Sequence, residues 1–146
     1  MGQQQLLLVI LGVIVVGIAV AVGISMFTGL AADANRDRVV NDLVNLSARA
    51  QQYMRRPVSS AGGGNDFGGF YLTQLDTGNP NGSYSVSNTL PSGKTFVPGS
   101  IAPISGSGVD SIFIVGCGKE LGDDQVNFMK VYVVVSRDNF RVSKLN

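Results

Sequence analysis

The 22 residues from Leu6 to Phe27 are apolar or small, and no charged side chain occurs before Asp33. At about 1.5 Å of rise per residue this run is about 33 Å long, enough to cross a hydrocarbon core of roughly 30 Å. From Ala31 to Arg56 the pattern stays helical but becomes two-sided. Val39, Leu43, Leu46, Ala50 and Tyr53 are separated by alternating steps of four and three, which puts them in one stripe. Val40, Val44 and Met54 widen the stripe, whereas Asp42, Asn45, Arg49, Gln52 and Arg56 mostly face elsewhere. No proline precedes Pro57. The pattern predicts one helix from about Gln3 to Arg56, roughly 80 Å if straight. It ends at Pro57, because proline disfavours the α conformation in the residue before it.

Beyond Pro57 the period changes. Residues 58–66 are small and polar and read as a flexible linker or loop. Short apolar runs then predict strands over Gly69–Leu75, Ser83–Ser87, Asp110–Cys117, Gln125–Ser136 and Phe140–Lys144. Asn79-Pro80-Asn81-Gly82 is a turn signal and predicts a hairpin joining the first two. In Ser83–Ser87, Tyr84 and Val86 are expected inward and the serines outward. The Pro-, Gly- and Ser-rich stretch over 88–108 reads as a long surface loop, Gly118–Asp124 as a turn, and Asp138-Asn139 as a tight turn. A small antiparallel sheet needs cover on one face. The stripe Val39, Leu43, Leu46, Ala50, Tyr53 is the only helix face available, so these residues are the expected helix-to-sheet contact. The fold class is α+β. Residues 1–30 form a hydrophobic helix, 31–56 the amphipathic half of the same helix, and 57–146 a globular antiparallel β head.

The apolar run has three candidate identities. A secretory signal peptide carries a basic segment ahead of a shorter apolar core of roughly 7–15 residues, which this run does not match. The others are a transmembrane anchor and an anchor that leaves the membrane to become a filament core. Charges at the helix exit (Asp33, Arg36, Asp37, Arg38) balance and give no orientation. Gly12, Gly17, Gly23 and Gly29 each cost a helix about 1 kcal/mol relative to alanine in water. Small residues let helix backbones approach closely, as the run Gly17-Ile18-Ala19-Val20-Ala21 allows. Glycine is also common in ordinary membrane helices.

Composition narrows the chemistry. Net charge is +1, so no strongly basic face argues for nucleic acid. Histidine is absent, which removes the commonest general base and metal ligand. The one cysteine, Cys117, lies in an apolar strand-like run and reads as a buried structural thiol. Serines are plentiful, but no Gly-x-Ser-x-Gly turn accompanies them. Gly62-Gly63-Gly64 lacks the lysine of a phosphate loop. Asp123 and Asp124 suit a solvated hairpin tip better than calcium, which takes six or more oxygens. Asn45-Leu46-Ser47 and Asn81-Gly82-Ser83 match the glycosylation sequon at a frequency chance supplies. Arg55 and Arg56 complement the helix dipole at its C-terminal end. No catalytic, cofactor or metal site is expected, and the chain is not read as an enzyme.

A polar residue at position five, Gln5, is followed at once by Leu6-Leu7-Leu8-Val9-Ile10-Leu11-Gly12-Val13-Ile14-Val15-Val16-Gly17. This block, the amphipathic continuation and the C-terminal antiparallel sheet together resemble the type IV pilin family. The match covers residues 1–56 in pattern and is architectural beyond them. The family usually carries glutamate at the fifth mature position, where it meets a neighbour's N-terminal amine; with Met1 first, Gln5 stands there and offers a hydrogen bond without charge. A basic leader ahead of the cleavage glycine, a proline in the apolar half and a C-terminal disulfide loop have no counterparts here. The resemblance implies a structural subunit of a pilus-like extracellular filament at the cell surface, active in adhesion. Its partners would be other copies of itself, the membrane before assembly, and a pilus assembly machinery. Gln5, Leu8, Leu11, Gly12, Val15, Gly17, Ala19, Ala21 and Gly23 are the expected filament-core residues. A pseudopilin or minor pilin of a secretion or uptake system has the same fold. A single-pass membrane-anchored binding domain, catching a ligand on the loop from Asn88 to Gly108, is the reading from another class.

Overall fold

The computed structural model describes residues 2–90, 98–99 and 101–146. Helix α1 (Gly2–Arg55) matches the expected span, starting one residue earlier and stopping one earlier. Pro57 takes extended backbone, and a single 3-10 turn follows at Val58–Ser60. Strands β1 (Gly82–Ser87), β2 (Ser111–Leu121), β3 (Phe128–Ser136) and β4 (Phe140–Lys144) form one antiparallel sheet in sequence order. The molecule is therefore one long apolar N-terminal helix whose C-terminal half packs on a small four-stranded sheet, an α+β fold.

The helix lies over the two central strands, β2 and β3. Register explains which side chains meet it. Val86, Ile114 and Val133 sit opposite one another across three strands, as do Tyr84, Gly116 and Val131. Ile112 pairs with Val135. All but Gly116 are buried in one apolar cluster with Val39, Leu43, Leu46, Ala50 and Met54 of α1. Burying each large member contributes about 1.5–3 kcal/mol. Two strand glycines permit the close approach. A Cβ on Gly116 would lie 2.7 Å from a methyl of Val39, and one on Gly118 would lie 2.2 Å from Asn35 Oδ1.

The segment expected as a strand over Gly69–Leu75 is not one. It forms turns, and Phe67, Phe70 and Leu72 point into the core. Gly68-Gly69 interrupts the run, with Gly69 at φ +81, a conformation that side-chain-bearing residues avoid. The backbone pairs locally with Ile104 instead, through Gly69 N–H to Ile104 O and Ile104 N–H to Phe70 O. The expected hairpin around Asn79–Gly82 therefore reduces to a tight turn and one bridge, Gly78 with Ser83. Ser85 lies on the face opposite Tyr84 and Val86, as strand alternation requires, but is buried there.

Residues 58–66 are a docked loop, not a linker: Gly63 N–H and Gly64 N–H bond to the carbonyls of Tyr53 and Arg56 at the helix end. Strand β2 runs four residues past Cys117, with a register shift between Cys117 and Leu121. That shift absorbs most of the expected 118–124 turn. Strand β3 starts at Phe128 instead of Gln125, because Gln125 adopts φ 55 and the Asp124 carboxylate captures the amides of Val126 and Asn127. Strand β4 and the Asp138-Asn139 turn fall where the pattern put them. Of the loop expected over 88–108, residues 91–97 and 100 lie outside the described residues; 101–108 have no regular structure.

Candidate functional site

The N-terminal half of α1 has no cover within the molecule. Gln5, Leu8, Leu11, Gly12, Val15, Gly17, Ala19 and Ala21 are all exposed and Gly23 nearly so, while Phe27 reaches 75% exposure. Seventeen large apolar side chains from Leu6 to Leu30 are exposed on this described segment. Soluble monomers rarely show an apolar patch above a few hundred Å², roughly. By length and composition the helix is able to cross a membrane. An added Cβ at Gly12, Gly17, Gly23 or Gly29 would meet nothing within 4 Å. Nothing in the fold of one chain requires glycine at these places.

The C-terminal half is placed differently. Val39, Leu43, Leu46 and Ala50 are buried against the sheet. Tyr53 is half-buried and turns to the neighbouring loop: its ring lies 5.5 Å from that of Phe70, and its hydroxyl donates to Gly68 O. Arg55 reaches the Arg137 carbonyl at 3.5 Å.

A charged clasp marks where the helix leaves the head. Arg36 donates to Asp33 and to Asp123 at 2.8 Å each, and Lys144 also bonds Asp123. Lys144 and then Arg36 hold the Asp123 carboxyl below its ordinary value. Between α1 and the β2–β3 tip lies a depression of about 310 Å³, lined by Thr28, Gly29 and Ala32 on one side and residues 120–123 and 125 on the other.

Two partly buried carboxylates fasten loops. Asp42 Oδ2 accepts from Tyr84 Oη at 2.6 Å, Asn79 Nδ2 at 2.8 Å and Asn81 Nδ2 at 2.9 Å. Burial works against its charge, but Asn81, Tyr84 and Asn79 together hold the carboxyl below its ordinary value. Burial and the Asp42 charge push the Tyr84 hydroxyl far up. Asp66 accepts the amides of Gly68, Gly108 and Val109, and these hold its carboxyl down. Asn35 donates to Asn81 O and accepts from Lys119 N–H.

These polar contacts position loops and offer no open reactive group. Cys117 is buried, and burial pushes its thiol up against a weaker pull from Lys130. No group of three or more metal-binding side chains occurs among the described residues. The Asp123 and Asp124 carboxylates are engaged by protein donors. Of the two sequons, Ser47 is buried and bonded to Leu43 O, and the Asn81 amide is held by Asp42. The Asp42 hub, the Asp66 hub and the clasp escaped sequence reasoning. Only Asn35 left a signal there, standing four residues before Val39 in the same stripe.

No family model, no curated protein and no solved structure matches the chain.

Proposed function

We propose that the chain is the structural subunit of a pilus-like extracellular filament, held in a membrane before assembly and polymerised by bundling of its N-terminal helices. The observation that carries the reading is the uncovered apolar surface from Leu6 to Leu30 on a continuous helix. At about 1.5–3 kcal/mol per large side chain, covering this surface outweighs any contact the small head can make. Lipid supplies the cover first and other copies supply it later. A head-to-tail contact that does not close yields a helical filament. The four open glycines fit close helix–helix approach in such a bundle. Gln5 would sit among the helices and supply a hydrogen bond where the pilin family places a charge.

The test is assembly of the purified full chain. Solubilised in detergent and then depleted of it, the subunit should form uniform thin filaments in negative stain. Lipid-dependent monomers without filaments would favour the anchored binding domain instead. Abundance in the producing cell separates a major subunit from a pseudopilin.

A further inference from the structure

Three exposed apolar side chains gather at the β2–β3 tip: Leu121 and Phe128, a cross-strand pair, and Val126, which is 78% exposed. The tip stands beside the helix exit. The clasp fixes Asp123 to Arg36, and one depression is lined by residues 120–123 and 125 together with Thr28 and Gly29. If the apolar run fills the hydrocarbon core, Leu30 marks its outer boundary. From Leu30 to Arg36 the helix rises about 9 Å. The headgroup zone is roughly 5–8 Å deep on each side of a bilayer. The clasp at Arg36 therefore stands at the outer edge of that zone, and Leu121 of the tip, which lines the depression with Thr28 and Gly29, stands within it.

Its polar groups suit that place. Asp123 is neutralised by Arg36 and Lys144, and the Asp124 carboxylate is turned onto Val126, Asn127 and the Asn127 side-chain amide. Lys119 and Glu120, the adjacent exposed residues, carry one charge of each sign. Both aspartates thus meet lipid with their oxygens already engaged, Asp123 by two cations and Asp124 by neutral N–H donors. Apolar and aromatic side chains are favoured at this depth.

We propose that the β2–β3 tip is a membrane foot: in the unassembled subunit Leu121, Val126 and Phe128 rest in the lipid interface and, with the helix, fix the head's orientation on the bilayer. This inference rests on the membrane-held precursor of the preceding reading. Leu121 lines the depression together with Thr28 and Gly29 at the end of the exposed apolar run, and this adjacency to the anchor selects lipid as the occupant.

The chain contains no tryptophan, so a single introduced one reports its own surroundings. Phe128→Trp, Val126→Trp, Phe27→Trp and Leu75→Trp would each be placed in the full chain in phosphatidylcholine vesicles. Quenchers would be lipids spin-labelled near the ester end or near the tail end of the acyl chain. Leu75 lies beside Asp76, which is bonded to Arg49, so it stands about 20 Å farther along the helix axis than the clasp. The foot predicts blue-shifted emission and strong loss to the shallow quencher for Trp at 128 and 126, and no loss at 75. Quenching at 27 with none at 128 or 126 overturns the foot and leaves the anchor standing. No quenching at 27 overturns both readings. A blue shift at 128 without quenching assigns the tip to another copy of the chain and also overturns the proposal.

Discussion

Asp42 is a helix residue outside the apolar stripe, yet it ties the helix to the turn that leads into β1. Its carboxylate satisfies Tyr84, Asn79 and Asn81 at once. Asp42→Ala leaves a buried hydroxyl and two amides without that acceptor and should cost roughly 1–3 kcal/mol in denaturant unfolding. The folded pKa values of Asp42, Asp66, Asp76 and Asp123 all lie below their ordinary value of 3.8. The unfolded chain thus binds protons more tightly, so this stability is complete above about pH 4 and is lost as pH falls through the folded values. Unfolding midpoints measured between pH 7 and pH 2 should fall only in the acid range, and Asp42→Asn should flatten that fall. At Gly118 an added Cβ would also come within 2.6 Å of Met129 Cε. Gly118→Ala should cost about 1–3 kcal/mol by the same unfolding assay, because Asn35 is pinned by two hydrogen bonds and cannot yield freely. None of these partnerships is legible in sequence: Asp42 and its three partners lie 37 to 42 residues apart. Asn35 is the exception, since extending the stripe back by one step of four reaches it.

At the level of elements, the helix and β4 were legible because periodicity and punctuation agreed: one run with a 3.6-residue period closed by Pro57, and a short strand set off by Asp138-Asn139. The segment over 69–75 was not. Its aromatic density resembles a strand, but Phe67, Phe70 and Leu72 serve as separate plugs beneath the helix end, and only tertiary contact with Ile104 reveals that. The two halves of α1 should respond to substitution in opposite ways. Leu43→Ala opens a cavity in the head and should lower its stability by about 2–5 kcal/mol, while the apolar half still partitions into detergent or lipid. Gly17→Leu meets nothing in the isolated chain, so head stability should not change. If Gly17 lies at a helix–helix contact, the same change should abolish filament formation in the detergent-removal assay while membrane insertion survives. Normal filaments from Gly17→Leu would remove Gly17 from the core.

At the scale of the molecule, one continuous helix joins a head with its own apolar core to a helix half that has no cover. Among the described residues of the head, the carboxylates of Asp42 and Asp66 hold loops and the one thiol is buried, while Ser85 Oγ is buried without a hydrogen-bond partner. The helix needs a partner along its whole apolar length, and the identity of that partner is the function. The most direct measurement is electron microscopy of the surface fraction sheared from producing cells, with its protein identified by mass spectrometry. The account predicts thin, uniform filaments composed mainly of this chain. Retention of the protein in the membrane pellet, with no filaments in the sheared fraction, would contradict it.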